Sequence, residues 1–135
     1  QQFQSLLDFM AEAKFDYAGV FEYSVEEGTP AASFPGQVSP TVKEERYHRA
    51  MQQQSAITRK VLANRIDQKT LFLCTGHRRH AQGEKNFAIG RVEWQAPEVD
   101  GITLLEGSHV KIGELISAKI TGSDDYDLYA AKANE

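Results

Sequence analysis

Residues 115–121 read LISAKIT, and the alternation in that run decides the fold of the second half of the chain. Ile116, Ala118 and Ile120 fall on one face, and Ser117, Lys119 and Thr121 fall on the other. A period of two is that of a strand with one face buried. Working outward, YDLYA (126–130), ITLLE (102–106), NFAIGRVEW (86–94) and LFLC (71–74) have the same β-branched and aromatic character. Turn-forming residues separate them at His77–Gly83, Gln95–Gly101, Gly107–Gly113 and Gly122–Asp125. Five short strands at this spacing predict a five-stranded antiparallel β-barrel of the oligonucleotide-binding type over residues 68–135. Closure into a barrel removes the exposed strand edges that would otherwise pair with other chains.

Upstream of Lys69 the period lengthens. Pro40 to Ala63 reads as a helix, with Ser39 as its cap and Pro40 at the first helical position. Thr41 with Glu44 offers a competing capping box. Tyr47, Ala50, Met51, Ile57, Val61 and Leu62 form a thin apolar stripe, which suits a helix lying along a surface. Phe3, Leu6, Leu7 and Met10 mark a first helix over residues 3–13, and AGVFEY (18–23) reads as a strand after it. Ser24–Ser39 is rich in Ser, Gly and Pro, which is loop chemistry. The whole is an α+β arrangement with divisions at 1–39, 40–67 and 68–135.

The charge is uneven. Residues 1–40 carry one Lys against six carboxylates, residues 41–67 six cations against three anions, and residues 68–135 eight cations against ten anions. A nucleic-acid-binding barrel draws most of its affinity from phosphate neutralisation, so a net anionic barrel points toward a protein partner. One cysteine, Cys74, excludes an internal disulfide and leaves a thiolate cluster without ligands. It lies in an apolar run and reads as a small buried hydrophobe. His77 and His80 lack a third ligand, so no metal site is assigned, and no catalytic residue is either. No apolar run approaches the ~18–20 residues that span a bilayer.

Several groups remain open to two readings. Tyr23, Ser24, Glu27, Gly28 and Thr29 follow a predicted strand, where they either bind a polar cofactor or simply form a turn. Arg78 and Arg79 sit in an expected loop and either grip an anionic partner or stay solvated. Pro97 and Gly101 are expected to shape a turn whose amides Glu98 and Asp100 cap. Trp94 is placed on a strand, as a core plug or an exposed recognition aromatic. Asp125 and Asp127 lie in SDDYDLY (123–129), an acidic turn that either stays wet or pairs with a basic protein.

Three stretches taken together, FDYAGVFEYSVEEGTPAA (15–32), QAPEVDG (95–101) and ITGSDDYDLYA (120–130), resemble the rear portion of the radical-SAM methylthiotransferases. They are most similar to the ribosomal-protein aspartate methylthiotransferases, the RimO family, and the resemblance runs along essentially the whole chain. It implies that residues 1–39 are the C-terminal end of a radical-SAM α/β barrel, 40–67 a linker helix, and 68–135 a TRAM β-barrel. The parent would use S-adenosylmethionine and two 4Fe–4S clusters to place a methylthio group on an aspartate of the twelfth small-subunit ribosomal protein. Tyr23, Ser24, Glu27, Gly28 and Thr29 would then line the S-adenosylmethionine cleft. Arg78, Arg79, Arg91, Trp94, Asp125 and Asp127 would dock the protein substrate. The family's C-x-x-x-C-x-x-C triplet is expected upstream, so this portion alone is expected to be inert and to hold no cofactor. A cytoplasmic location and self-association through residues 1–40 are further expectations. The rival is a tRNA methylthiotransferase, whose TRAM barrel grips tRNA; the acidic EEG turn and anionic barrel favour the protein-modifying branch. A third reading is a structural barrel module without either partner.

Overall fold

The computed structural model describes residues 1–79, 86–107 and 109–133, with the Arg79 side chain outside the described part. In chain order the elements are α1 (Gln2–Ala13), a 3-10 turn (Pro30–Ser33), α2 (Pro40–Ala63), β1 (Lys69–Arg79), β2 (Asn86–Val92), β3 (Thr103–Glu106), β4 (Leu115–Ser123) and β5 (Leu128–Lys132). The chain divides into two compact units, residues 1–57 and 58–135. No helix among the described residues is long and apolar enough to cross a membrane.

In residues 58–135 the five strands close into a barrel in the order β1-β2-β3-β5-β4. The predicted barrel is therefore present, with one correction: it is not wholly antiparallel, because β3 and β5 run parallel. The reason is topological. Directions cannot alternate all the way around a ring of five. β2 is antiparallel to β1 and β3 to β2, while β4 is antiparallel to β1 and β5 to β4, so one like-directed pair must meet. Breaks in register between Cys74 and Gly76 and between Ile120 and Gly122 add the local twist that closing a small barrel demands.

The interior follows the predicted period. Phe72, Cys74, Ala88, Val92, Ala118, Ile120, Leu128 and Ala130 are buried, while Ser117 is exposed and Lys119 half-exposed. Small residues are interleaved because the space inside five strands is narrow. Gly90 shows the limit: a Cβ there would collide with the Leu73 carbonyl oxygen and come within 2.5 Å of the Phe72 ring.

In residues 1–57, α1 packs Leu7 and Met10 against Ala50 of α2, with Phe3, Val20 and Ile57 around them. Gln53 Nε2 donates to the Leu7 carbonyl, and Gln54 Nε2 donates to the Phe15 carbonyl at 2.9 Å. The guanidinium groups of Arg46 and Arg49 sit 5.5 and 5.1 Å from the Phe3 ring centroid. The predicted strand AGVFEY is not formed: residues 18–23 take no regular structure and the Phe21 side chain is 92% exposed. A strand needs a ladder partner for its amides and carbonyls, and residues 1–57 contain no other strand.

The α2 stripe also differs from the expected one. Ala50, Gln54, Thr58 and Leu62, spaced by four, are the buried line, and two of them are polar. Thr58 and Leu62 belong to the barrel unit, which begins well before the first strand. A fragment starting at Thr58 is expected to fold cooperatively, whereas one starting at Lys69 loses Leu62 and melts early. Leu62→Ala in the full chain should cost about 3 kcal/mol, read by urea unfolding of the barrel.

Candidate functional site

The turn after β4 is built by one carboxylate. Asp124 Oδ1 accepts the amides of Tyr126 (3.0 Å) and Asp127 (2.7 Å), and Oδ2 accepts the Tyr129 hydroxyl (3.1 Å). The Asp124 amide donates to the Asp127 carbonyl at 3.0 Å. This is an Asx-type turn, in which a short side chain substitutes for backbone acceptors. Burial pushes the Asp124 carboxyl upward, but the Tyr126 and Asp127 amides and the Tyr129 hydroxyl outweigh it and hold the carboxyl below its ordinary range. The Tyr129 phenol moves the other way. Its hydrogen bond to Asp124 raises it first, then burial and the Asp124 and Asp127 charges, against a lowering by Arg78. Arg78 is thus close enough to Tyr129 for its charge to act there.

The neighbouring carboxylates are also engaged. Asp125 Oδ1 accepts Arg59 Nε (2.8 Å) and Nη2 (2.7 Å), and Asp127 Oδ1 accepts the Ile102 amide at 2.8 Å. Each keeps a second oxygen with no partner among the described residues. Gly101 lies so close to this turn that a Cβ would collide with the Tyr126 carbonyl. In the preceding loop Asp100 Oδ2 accepts the Ala96 amide at 2.7 Å, as expected for a cap, whereas Glu98 contributes a positive φ of 65°. Tyr126 is half-exposed beside these acids.

The cationic positions fall elsewhere than predicted. β1 runs through to Arg79, so Arg78 and Arg79 are strand residues opposite Phe87 and Asn86, not loop residues. Pairing with β2 extends the strand beyond the apolar LFLC run. His80 lies outside the described residues, and His77 Nε2 is 2.8 Å from the Val110 carbonyl. Arg91 faces outward on β2, beside Leu73 on β1, which in turn faces Leu115 on β4. Trp94 is not on a strand. β2 ends at Val92, and the Gln95 amide closes a turn onto the Val92 carbonyl at 3.0 Å. The Trp94 ring is half-buried under the Arg65 guanidinium, 4.6 Å from its centroid, so it is neither a core plug nor a fully exposed aromatic.

The five predicted cofactor positions are not gathered into one site. The backbone turns at Glu26–Thr29, with Gly28 at a φ of 82°; the Thr29 amide and hydroxyl both donate to the Glu26 carbonyl at 3.2 and 2.7 Å. Tyr23 alone borders a cavity of about 230 Å³ in residues 1–57, with Phe3, Leu6, Val20, Val38 and Tyr47. Lys43 Nζ donates to the Tyr23 carbonyl at 2.7 Å and lies 5.3 Å over its ring. Ser24, Glu27, Gly28 and Thr29 are exposed and do not border that cavity. No group of three or more His, Cys, Asp or Glu able to hold a metal is found among the described residues. Cys74 is buried, with Sγ near the Gly76 and Val110 carbonyls, and it is the one cysteine of the sequence where a cluster needs several thiolates. These residues do not fit an iron–sulfur cluster.

Sequence reasoning missed Asp124, Tyr129, Arg59 and Arg65. Asp124 carried a usable signal, since an Asp two and three residues before the amides it caps is Asx-turn spacing. Asp124→Ala should destabilise the barrel by about 1 kcal/mol at neutral pH, by analogy with a lost helix cap. The folded carboxyl titrates below its unfolded value, so its contribution is complete above the unfolded pKa and is lost as pH falls through the folded one. Urea melts of the two proteins should therefore converge toward acid pH and stay apart at neutral pH.

The TRAM domain pattern matches residues 79–132. The chain is 41% identical over 133 residues to the ribosomal protein uS12 methylthiotransferase RimO of Pectobacterium atrosepticum, covering 98% of this chain and 29% of that protein. The proteins of the same name from Desulforamulus reducens (42% over 129 residues) and Heliobacterium modesticaldum (42% over 135) are covered over 28% of their length, by 95% and 100% of this chain. The chain thus spans under a third of the relatives it matches.

Proposed function

We infer that this chain, which belongs by sequence with the C-terminal part of the RimO methylthiotransferases, serves as the substrate-docking portion of such an enzyme. The match along nearly the whole chain to proteins of that name carries the reading. In it, the parent methylthiolates an aspartate of the small-subunit ribosomal protein, and the radical chemistry belongs to S-adenosylmethionine and iron–sulfur clusters held by the longer protein. Residues 1–39 would complete the catalytic barrel, 40–67 would link, and 68–135 would dock, in a cytoplasmic enzyme. The linker as divided ends inside the compact unit that starts at Thr58, so the docking module includes the last turns of α2.

The β4–β5 turn supports a basic protein partner. Asp125 and Asp127 flank Tyr126 in the turn, and one oxygen of each is held in place, by Arg59 and by the Ile102 amide. Held carboxylates meet a cationic loop without first losing side-chain freedom. Arg78 would flank this acidic ground and, with Arg79 as its strand neighbour, set the register of the incoming chain. Arg91 lies across from Leu73 on β1, and Trp94 lies in the turn after β2 under Arg65. Tyr23 and the turn to Thr29 would reach S-adenosylmethionine only once the rest of the protein draws them together. Exposed Phe9, Phe15, Phe21 and Phe34 give residues 1–40 an apolar surface that would favour self-association of the isolated chain.

The purified chain should bind the ribosomal protein, and Asp125→Lys with Asp127→Asn should weaken that binding about tenfold. tRNA should bind weakly and with a shallow salt slope; submicromolar tRNA affinity falling steeply with salt would instead favour the tRNA-modifying branch. Anaerobic reconstitution with iron and sulfide is expected to leave the chain colourless. A dilution series in sedimentation should show association weakening when Phe21 is replaced by Ser.

A further inference from the structure

Three hydrogen-bond donors without acceptors cluster in the stretch that ends β2. The Arg91 guanidinium has no ion-pair or hydrogen-bond partner among the described residues. The Trp94 Nε1 and Gln95 Nε2 groups are buried and likewise have none. Gln95 is only 5% exposed; its Oε1 is fully used, accepting the Val92 amide (3.1 Å) and the Thr103 hydroxyl (2.7 Å). Orphaned buried donors are costly and mark places where an acceptor is missing.

The same stretch borders a shallow groove of about 250 Å³ on the barrel wall, lined by Leu71, Leu73, Leu115, Arg91, Glu93 and Gln95. Outward positions on such a wall are ordinarily polar. Here Leu71 is 48% and Leu115 57% exposed, and Leu73 joins Leu115 to Arg91 across three adjacent strands. Leucines beside one unpaired cation suit a chain segment that brings apolar side chains and a carboxylate together.

We propose that this groove docks an extended acidic–apolar peptide segment, its carboxylate on Arg91 and its leucine-like side chains over Leu71, Leu73 and Leu115. The occupant is a protein and not a nucleic acid. The lining has no aromatic face for base stacking, and Arg91 is its one cation beside the Glu93 carboxylate, too little positive charge for a chain of phosphates but enough for a single carboxylate set on Arg91. The proposal is independent of whether the acidic β4–β5 turn receives the ribosomal protein, because its ligand has the opposite charge.

The test uses the full chain and two short blocked peptides, one alternating leucine with aspartate and a twin with lysine for aspartate, followed by amide chemical-shift mapping. The aspartate peptide should shift Leu71, Leu73, Arg91, Gln95 and Leu115, and Arg91→Glu should weaken it about tenfold while strengthening the lysine twin. Leu115→Ser should weaken both pairings. Both positions face outward, and Arg91→Gln with Leu115→Met repeats the comparison if either first variant melts early. Equal binding of the two peptides to the wild-type chain, no binding, or shifts confined to residues 1–57 would overturn the proposal. So would an oligouridylate shifting the same residues, which assigns the groove to RNA, or a peptide-free dimer abolished by Leu115→Ser, which assigns it to a second copy.

Discussion

Closure of a five-membered ring of strands is the constraint on which the rest of the barrel depends. Because β5 must enter between β3 and β4 to complete the ring, the chain has to reverse tightly after β4 and run parallel to β3. The tight reversal exposes backbone amides that no strand can satisfy, and Asp124 satisfies two of them. The parallel entry brings the start of β5 against the loop before β3, where Asp127 takes the Ile102 amide and Leu128 donates to the Ile102 carbonyl at 2.9 Å. Gly101 is the residue that lets those two stretches approach. The acidic character of SDDYDLY therefore begins as a structural requirement, and any role in recognition uses what that requirement leaves over.

The interior is limited by the same closure. With so few strands, a large side chain on one strand forces a small one on its neighbour. Phe72 occupies the space that Gly90 leaves empty, and Ala88, Ala118 and Ala130 continue the pattern. The helical end adds what the narrow interior cannot hold, since Leu62 and Thr58 are fully buried and belong to the same compact unit. The recognisable TRAM pattern, residues 79–132, is shorter than the folding unit that contains it and leaves out most of β1 as well as the end of α2.

What the sequence made legible were features with a period. The alternation in LISAKIT, the helix from Pro40 to Ala63 and α1 all depend on local spacing, and the structure has them within a few residues. What stayed illegible depended on partners distant in sequence. AGVFEY has strand composition, but composition cannot supply a neighbouring strand. Trp94 lies two residues past the end of β2, so a run of strand-like letters extended the prediction too far. Arg59 and Arg65 look like ordinary helix-surface cations, and only the fold brings one to Asp125 and the other over Trp94. The parallel β3–β5 pair was accessible in principle, since an odd closed ring cannot be fully antiparallel.

Net charge proved a coarser guide to recognition than unfilled hydrogen-bonding capacity. The barrel segment has eight cations and ten anions, a nearly even balance. Yet its open valences are sorted by kind. The β4–β5 turn leaves carboxylate oxygens over after its own amides are served, and it offers acceptors. The end of β2 and the turn after it leave a guanidinium, an indole N–H and an amide N–H over, and they offer donors. A partner responds to groups that still lack a counterpart, because those already paired have little to gain from it. Two stretches of one small wall can thus prefer partners of opposite charge, even though their sum is close to neutral. The donor side differs in one further respect: two of its three groups are buried, so an acceptor that reached them would relieve a cost the folded chain already bears, whereas at the exposed acidic turn water serves the free oxygens at little cost.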